Sequence, residues 1–215
     1  MIRQYIFYPM IILIIVIGCD KKSKVKDTVI EKSIPVDVKK GSYNIDTSES
    51  ELNWVGKELS TKIHTGTLGI KSGEITVTEE GVISGVVKIN MTNINVTDLK
   101  DNAKSYLEGH LRSPDFFHVE SYPTASITFK SDNMVMENNR INFNAELTIK
   151  DTTHPIVFTA ELLATEPKLK ARAGLSFDRS KYDVRFRSGR FFENLGDKLI
   201  HDDIDIEILL VTENI

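Results

Sequence analysis

Apolar and polar residues alternate strictly along residues 141–149, INFNAELTI. Ile141, Phe143, Ala145, Leu147 and Ile149 hold one parity, and Asn142, Asn144, Glu146 and Thr148 hold the other. A period of two gives a strand with one dry face and one wet face. The same period returns at residues 83–91, 156–164, 169–177 and 204–210, with shorter candidates in SELNWVGKEL, HTGTLGI, GEITVT and ASITFK. Turn-like KSGE, EEGV, MENNR and TEPK separate them. Eight or nine strands at short spacing predict an all-β antiparallel sandwich or barrel. A helical period occupies one stretch, about residues 98–111, DLKDNAKSYLEGHL. Asp98 is the expected N-cap, Leu99, Ala103, Tyr106 and Leu107 form an apolar stripe, and Pro114 blocks continuation.

Small residues recur on the dry faces: Gly85, Ala125, Ala145, Ala160, Ala164, Ala171 and Ala173. A sandwich core about 10 Å thick is filled by large interdigitating side chains, whereas an eight-stranded barrel is either filled or holds one small ligand. Two readings follow. Large residues on neighbouring strands fill in for the alanines, or the interior is hollow and takes an apolar guest, since no charge interrupts the dry positions.

The chain opens differently. After Arg3, an unbroken apolar run covers residues 6–17. That run is too short for the roughly 20 residues of a membrane span and suits a secretory signal. The only cysteine, Cys19, follows directly in VIGC, which resembles the lipobox of bacterial lipoproteins. The resemblance implies a signal over residues 1–18 and a lipidated N-terminus at Cys19. Residues 20–40 hold seven lysines and four acids with no apolar period and read as a flexible tether. Residues 41–215 then form one domain with 19 basic and 27 acidic residues, a balance unsuited to nucleic acid.

Catalytic motifs do not emerge. The sequence has no Gly-x-Ser-x-Gly elbow, no phosphate-cradling glycine loop and no Cys-x-x-Cys. The five histidines, His64, His110, His118, His154 and His201, lack metal-ligand spacing. No metal, no cofactor and no covalent chemistry are expected. One basic cluster stands out in DRSKYDVRFRSGR, with Arg179, Lys181, Arg185, Arg187 and Arg190. Arg185 and Arg187 are expected on one strand face opposite Val184 and Phe186. That face is either simply solvated or able to hold a phosphate head by charge-assisted bonds.

Five segments carry a family resemblance: LNWVGKELSTKIHTGTLGIKSGEI, GVVKINMTNINVTDL, LEGHLRSPDFFHVESYPTASITF, LTIKDTTHPIVF and NLGDKLIHDDIDIEILL. In this order they resemble the YceI-like family of exported bacterial proteins. Asp183 stands where that family often has glycine, and Asn90 where it often has an acid. The resemblance implies a lipocalin-like antiparallel β-barrel of about eight strands with one short helix. It also implies an elongated cavity for polyisoprenoid chains, including isoprenoid quinones and prenyl phosphates. On that fold Trp54, Phe129, Phe143, Leu147, Phe158, Leu162, Leu175 and Phe177 are expected to line the cavity. Arg185 and Arg187 become head-group candidates, and Phe116 and Phe117 either gate a mouth or staple a corner. The expected protein is an envelope lipoprotein facing the periplasm or cell surface, binding an isoprenoid lipid and anchored to a membrane, with pairing into a homodimer left open. The alternatives are a filled barrel serving as an envelope stress or adhesion module, and a hydrolase working at the barrel mouth.

Overall fold

The computed structural model describes residues 38–59, 62–131 and 139–214. The signal over 1–18, Cys19 and the tether up to residue 37 lie outside the described residues. Among the described residues nine strands and one α-helix follow in the order β1 (Gly41–Asn44), β2 (Glu51–Lys57), β3 (Ile63–Val77), β4 (Ile83–Val96), α1 (Asp101–Arg112), β5 (Thr124–Ser131), β6 (Arg140–Ile149), β7 (Thr152–Ala164), β8 (Lys170–Asp178) and β9 (Asp203–Val211), with two short 3-10 turns between β8 and β9.

The sheet runs β1-β3-β2-β9-β8-β7-β6-β5-β4, and pairing of β3 with β4 closes it. Every pairing is antiparallel. The barrel has eight staves, because β1 and β2 share one. β2 pairs with the first half of β3 (Leu52 opposite Leu68) and β1 with its last residues (Gly41 opposite Val77). The chain steps between them through a turn in which Asp46 Oδ1 accepts from the Ser48 amide at 3.1 Å, and Lys168 pairs with Asp46 at 2.8 Å and Glu49 at 2.7 Å. HTGTLGI and GEITVT, separate candidates in the sequence, are one 15-residue strand, β3. Its register against β4 shifts twice, between Thr67 and Gly69 and between Ile70 and Ser72. Such shifts break the simple alternation that sequence patterning relies on.

The alternating positions place the apolar parity inward. In β6, Ile141, Phe143, Ala145, Leu147 and Ile149 are all buried, and Asn142, Asn144 and Glu146 are exposed. Gly66 marks the tightest inward approach. A Cβ there would lie 2.2 Å from the Asn95 carbonyl oxygen and 2.4 Å from the Trp54 ring, so only glycine lets β2, β3 and β4 close over that indole.

Strand direction sorts the connections between two ends of the barrel. The β2–β3, β4–β5, β6–β7 and β8–β9 connections lie at one end, here the mouth. The β3–β4, β5–β6 and β7–β8 connections and the start of β1 lie at the other, the foot. Val38 is buried at the foot and belongs to the core cluster. The Tyr43 hydroxyl donates to the Lys39 carbonyl there.

The helix begins at Asp101, three residues later than the sequence pattern suggested. Asp98 is not its N-cap: the cap position is Lys100, with no side-chain bond. Asp98 is drawn instead to β3, accepting from the Thr65 amide at 2.9 Å and lying 2.8 Å from His64 Nδ1. The helix ends where Ser113 turns extended and its hydroxyl donates to the His110 carbonyl at 2.7 Å, just before Pro114. None of its residues is buried. Polar ties fasten it to the end of β4: Glu108 accepts from the Val96 amide at 2.9 Å, Lys104 donates to Asn95 at 2.7 Å, and Arg112 donates to the Ile94 carbonyl.

Candidate functional site: a hollow barrel with one polar end

The interior holds a cavity of about 1150 Å³, at or above the roughly 300–1,000 Å³ of ordinary small-molecule pockets. Its lower and middle wall is apolar, from Ile83, Ile141 and Leu169 near the foot up through Val87, Leu147 and Ile206. The lining includes eight charged or imidazole side chains among the described residues: Lys57, Glu58, Lys62, His64, Asp98, His110, Asp115 and Arg187. By their places in the strand order and the mouth-end connections, all eight belong to the mouth end. The slot is therefore greasy along its length and polar at one end only. Ile63 (55% exposed) and Tyr106 (80% exposed) also line it and mark where it meets solvent.

All eight apolar residues singled out from the sequence lie on this wall: Trp54, Phe129, Phe143, Leu147, Phe158, Leu162, Leu175 and Phe177. Three of them form an aromatic cluster, with Phe143 stacked on Phe158 at 5.2 Å and 18° and Phe129 edge-on to Phe143 at 5.3 Å. Of the seven small residues, Ala164 is half-buried past the β7–β8 register shift and does not line the cavity, and the other six divide into two groups. Ala125, Ala160, Ala171 and Ala173 line the cavity. Ala160 and Ala173 are cross-strand neighbours, so their methyl groups leave a recess across β7 and β8. Ala145 and Gly85 instead flank Phe129 in the register, and a Cβ on Gly85 would meet the Phe129 ring at 2.6 Å. There the neighbour does fill in for the small residue; at β7 and β8 it does not.

The basic cluster is arranged differently from the expected strand face. Residues 179–182 form a 3-10 turn, and the segment after it is loop, not strand. Asp183 and Arg187 have φ of 58° and 51°, left-handed conformations that interrupt any alternation of Arg185 and Arg187 against Val184 and Phe186. Asp183 occupies the position where the resembled family favours glycine, and its backbone is one that glycine adopts most easily. Arg185 pairs with Asp183 and sits over the Phe191 ring at 5.1 Å, away from the cavity lining. Arg190 pairs with Asp178 at 3.2 Å. Only Arg187 of the cluster lines the cavity, with its guanidinium 5.0 Å from the Phe186 ring centre.

Arg179 is fully buried (0% exposed). Its Nε donates to the His201 carbonyl at 3.2 Å, Nη1 to Val184 at 3.1 Å and Phe186 at 3.0 Å, and Nη2 to Ile200 at 3.1 Å. Asp202 Oδ1 lies 3.1 Å from Nη2 as an ionic contact without hydrogen-bond alignment, while Asp202 Oδ2 accepts from Ser188 at 2.8 Å. The guanidinium thus clips together both arms of the loop that carries Phe186 and Arg187. Basic residues in a polar run read as solvated, so the sequence concealed this role.

An aromatic sleeve completes the mouth. His110 lies edge-on to Phe186 at 4.4 Å and to Phe116 at 5.2 Å, and Phe116 is 5.8 Å from Phe117. The DFF corner therefore packs at the mouth. His110 also lines the cavity, yet its buried Nε2 has no hydrogen-bond partner. Burial pushes the imidazole below its ordinary pKa; Asp115 opposes the shift and Arg187 adds to it. His110 continues the helical stripe of Leu107 and Leu111, a signal present in the sequence. His118 does not meet it, bonding Ser121 at 3.1 Å instead.

Closed staves, an open interior and a single polar end define a lipocalin-like barrel with a large internal cavity. The chain is a member of the YceI-like domain family, whose model matches residues 43–212. UPF0312 protein plu2095 of Photorhabdus laumondii is 32% identical over 128 residues, 59% of this chain and 63% of that protein, so the match spans just under two thirds of that relative's length. BcnA of Burkholderia cenocepacia superposes with a TM-score of 0.61 at 19% identity, covering 79% of this chain and 99% of BcnA. A polyisoprenoid-binding domain from Saccharophagus degradans gives 0.56 at 15% identity, covering 82% of this chain and all of that domain. These two likenesses are of fold.

Proposed function

We propose that this protein is a cell-envelope lipoprotein that binds or carries an isoprenoid lipid, an isoprenoid quinone or a polyprenyl phosphate, inside its barrel. The observation that carries this reading is the one-ended polarity of the cavity. A guest that fits it has a long apolar tail and a compact polar head. Burying each methylene of such a tail contributes about 0.8 kcal/mol, so several prenyl units suffice for firm binding without any hydrogen bond along the tail. The fold shared with the Saccharophagus degradans polyisoprenoid-binding domain supports the same class of guest. Binding, with no covalent step, is the activity proposed.

The test is direct. Protein expressed from its complete sequence and purified without added lipid is extracted with organic solvent, and the extract is read by mass spectrometry. A prenyl-chain lipid at near one per barrel is expected. An extract holding none, or only phospholipid acyl chains, refutes the carrier reading.

The anchor is a separate part of the proposal and rests on the VIGC motif ending at Cys19. One acyl chain gives only reversible membrane attachment, and lipoprotein modification supplies more than one. Cys19→Ala is expected to shift the protein from the membrane pellet to the soluble fraction. Retention of the variant in the pellet contradicts the anchor while leaving the barrel's ligand untouched.

A further inference from the structure

Among the described residues seven large apolar side chains are exposed, and five of them stand at the mouth. Leu59 and Ile63 sit where β2 gives way to β3, Tyr106 on α1, and Phe191 and Phe192 on the β8–β9 connection. Single exposed apolar residues are ordinary, but a cluster around one opening marks an interaction surface. The cluster is contiguous. The Leu59 amide donates to the Leu199 carbonyl at 2.8 Å, and a Cβ on Gly189 would meet the Leu199 side chain at 3.0 Å, which sets Leu59 beside the Phe191–Phe192 turn. Both phenylalanine amides donate to the Ser188 carbonyl at 3.1 Å, and Ser188 is itself fully buried. The turn is anchored, yet Phe191 is 41% and Phe192 48% exposed, so the backbone presents these rings outward. Ile63 and Tyr106 complete the rim and also line the cavity, which makes the outer apolar surface continuous with the inner one.

The charges among these side chains suit a lipid surface. Lys62 adjoins Ile63 in the chain, and the Arg185 guanidinium lies over the Phe191 ring at 5.1 Å. The β8–β9 connection, residues 179–202, holds six basic and four acidic residues, in a domain with 19 and 27. The surplus of cations therefore falls beside the exposed rings, against the sign of the domain as a whole. Apolar side chains that enter the edge of the hydrocarbon, with long cations beside them that reach head-group phosphates, make an interfacial contact. A folded protein seated on the same rim would stopper the cavity, whereas a bilayer would open onto it; this choice of occupant rests on the carrier reading above.

We propose that the rim of Leu59, Ile63, Tyr106, Phe191 and Phe192 is a docking surface for a lipid bilayer containing anionic phospholipid, and that it seats the open end of the barrel in the membrane interface. A guest then passes between the hydrocarbon and the slot without crossing water. The foot, where Glu79, Glu80 and Glu166 are exposed, faces away from the docked bilayer.

Full-length protein carrying Cys19→Ala, which removes the only cysteine, accepts a single environment-sensitive fluorophore at Glu193→Cys beside the rim or at Glu80→Cys on the foot. Each is mixed with vesicles of roughly three parts phosphatidylcholine to one of phosphatidylglycerol, a surface negative enough to attract nearby cations. The rim label is expected to shift to the blue and to be quenched by spin-labelled acyl chains, and the foot label to do neither. A rim label that stays in water, or a foot label that responds equally, overturns the proposal. So does a blue shift without vesicles that grows with protein concentration, which assigns the rim to a second copy of this chain. The double substitution Leu59→Ser with Phe192→Ser is expected to slow uptake of geranylgeraniol from limiting vesicles about thirtyfold, the worth of two apolar side chains partly withdrawn from water. Its affinity for the same alcohol delivered in solvent should be unchanged, since neither side chain lines the cavity, and that result also certifies the fold. Uptake from vesicles at the unsubstituted rate overturns the docking. Failure of the solvent-delivered alcohol to bind even the unsubstituted protein counts against the carrier reading, and the two labels then still decide which end meets the bilayer.

Discussion

Arg179→Met is expected to cost about 3–5 kcal/mol of folding stability, the scale seen when one member of a buried charge pair is removed. Four backbone carbonyls, those of Val184, Phe186, Ile200 and His201, would lose their donor, and Asp202 would lose its counter-charge. A domain of this size has only about 5–15 kcal/mol in total, so the loss would be plain in a urea titration. Arg179→Lys should recover little of it, because an ammonium keeps the charge but lacks the planar fork that spans both arms of the loop. A loss under about 1 kcal/mol for Arg179→Met would show that the clip is dispensable.

The double substitution Ala160→Phe with Ala173→Phe is expected to weaken binding of a prenyl chain about a hundredfold. The two alanines face each other across β7 and β8 on the cavity wall, and two benzyl groups there would occupy the middle of the slot. Excluding about four methylene-sized groups at roughly 0.8 kcal/mol each amounts to about 3 kcal/mol, which sets that factor. Stability should hold or rise, since the rings enter open space and gain contacts. The pairing of lost affinity with kept stability is the diagnostic result, read by dye displacement and a denaturant titration on the same sample. Unchanged affinity would place the guest somewhere other than this cavity.

Much of the barrel was legible in the sequence because its strands obey a strict period of two. From Ile141 to Ile149 the parity of each residue fixes which side it faces, and the wall residues Phe129 to Phe177 follow from the same rule. The closing of β3 on β4 was not legible from periodicity, because nothing local distinguishes a sheet that closes from one that stacks on another; the family resemblance supplied it. The mouth was legible least. Asp98 looks like a helix cap, since a short acid before an amphipathic run usually is one, yet His64 and the Thr65 amide compete for it successfully. Val184-Arg185-Phe186-Arg187 alternates like a strand, but positive φ at Asp183 and Arg187 bends the chain into a loop. Arg179 has the composition of a surface residue and the environment of a core one. Each misreading arises where a long-range partner overrides a local preference, and these positions cluster around the one polar end of the cavity.

The start of β1 gives the molecule a direction. Val38 is packed in the core at the foot, and Lys40 and Lys39 there pair with Glu79 and Glu166. Val38 therefore lies at the end remote from Tyr106 and Arg187. A bead or fusion partner joined at Val38 itself takes hold of the vessel by its base, away from its brim. Attachment at that position is accordingly the arrangement in which filling and emptying can be followed without the support standing in the doorway.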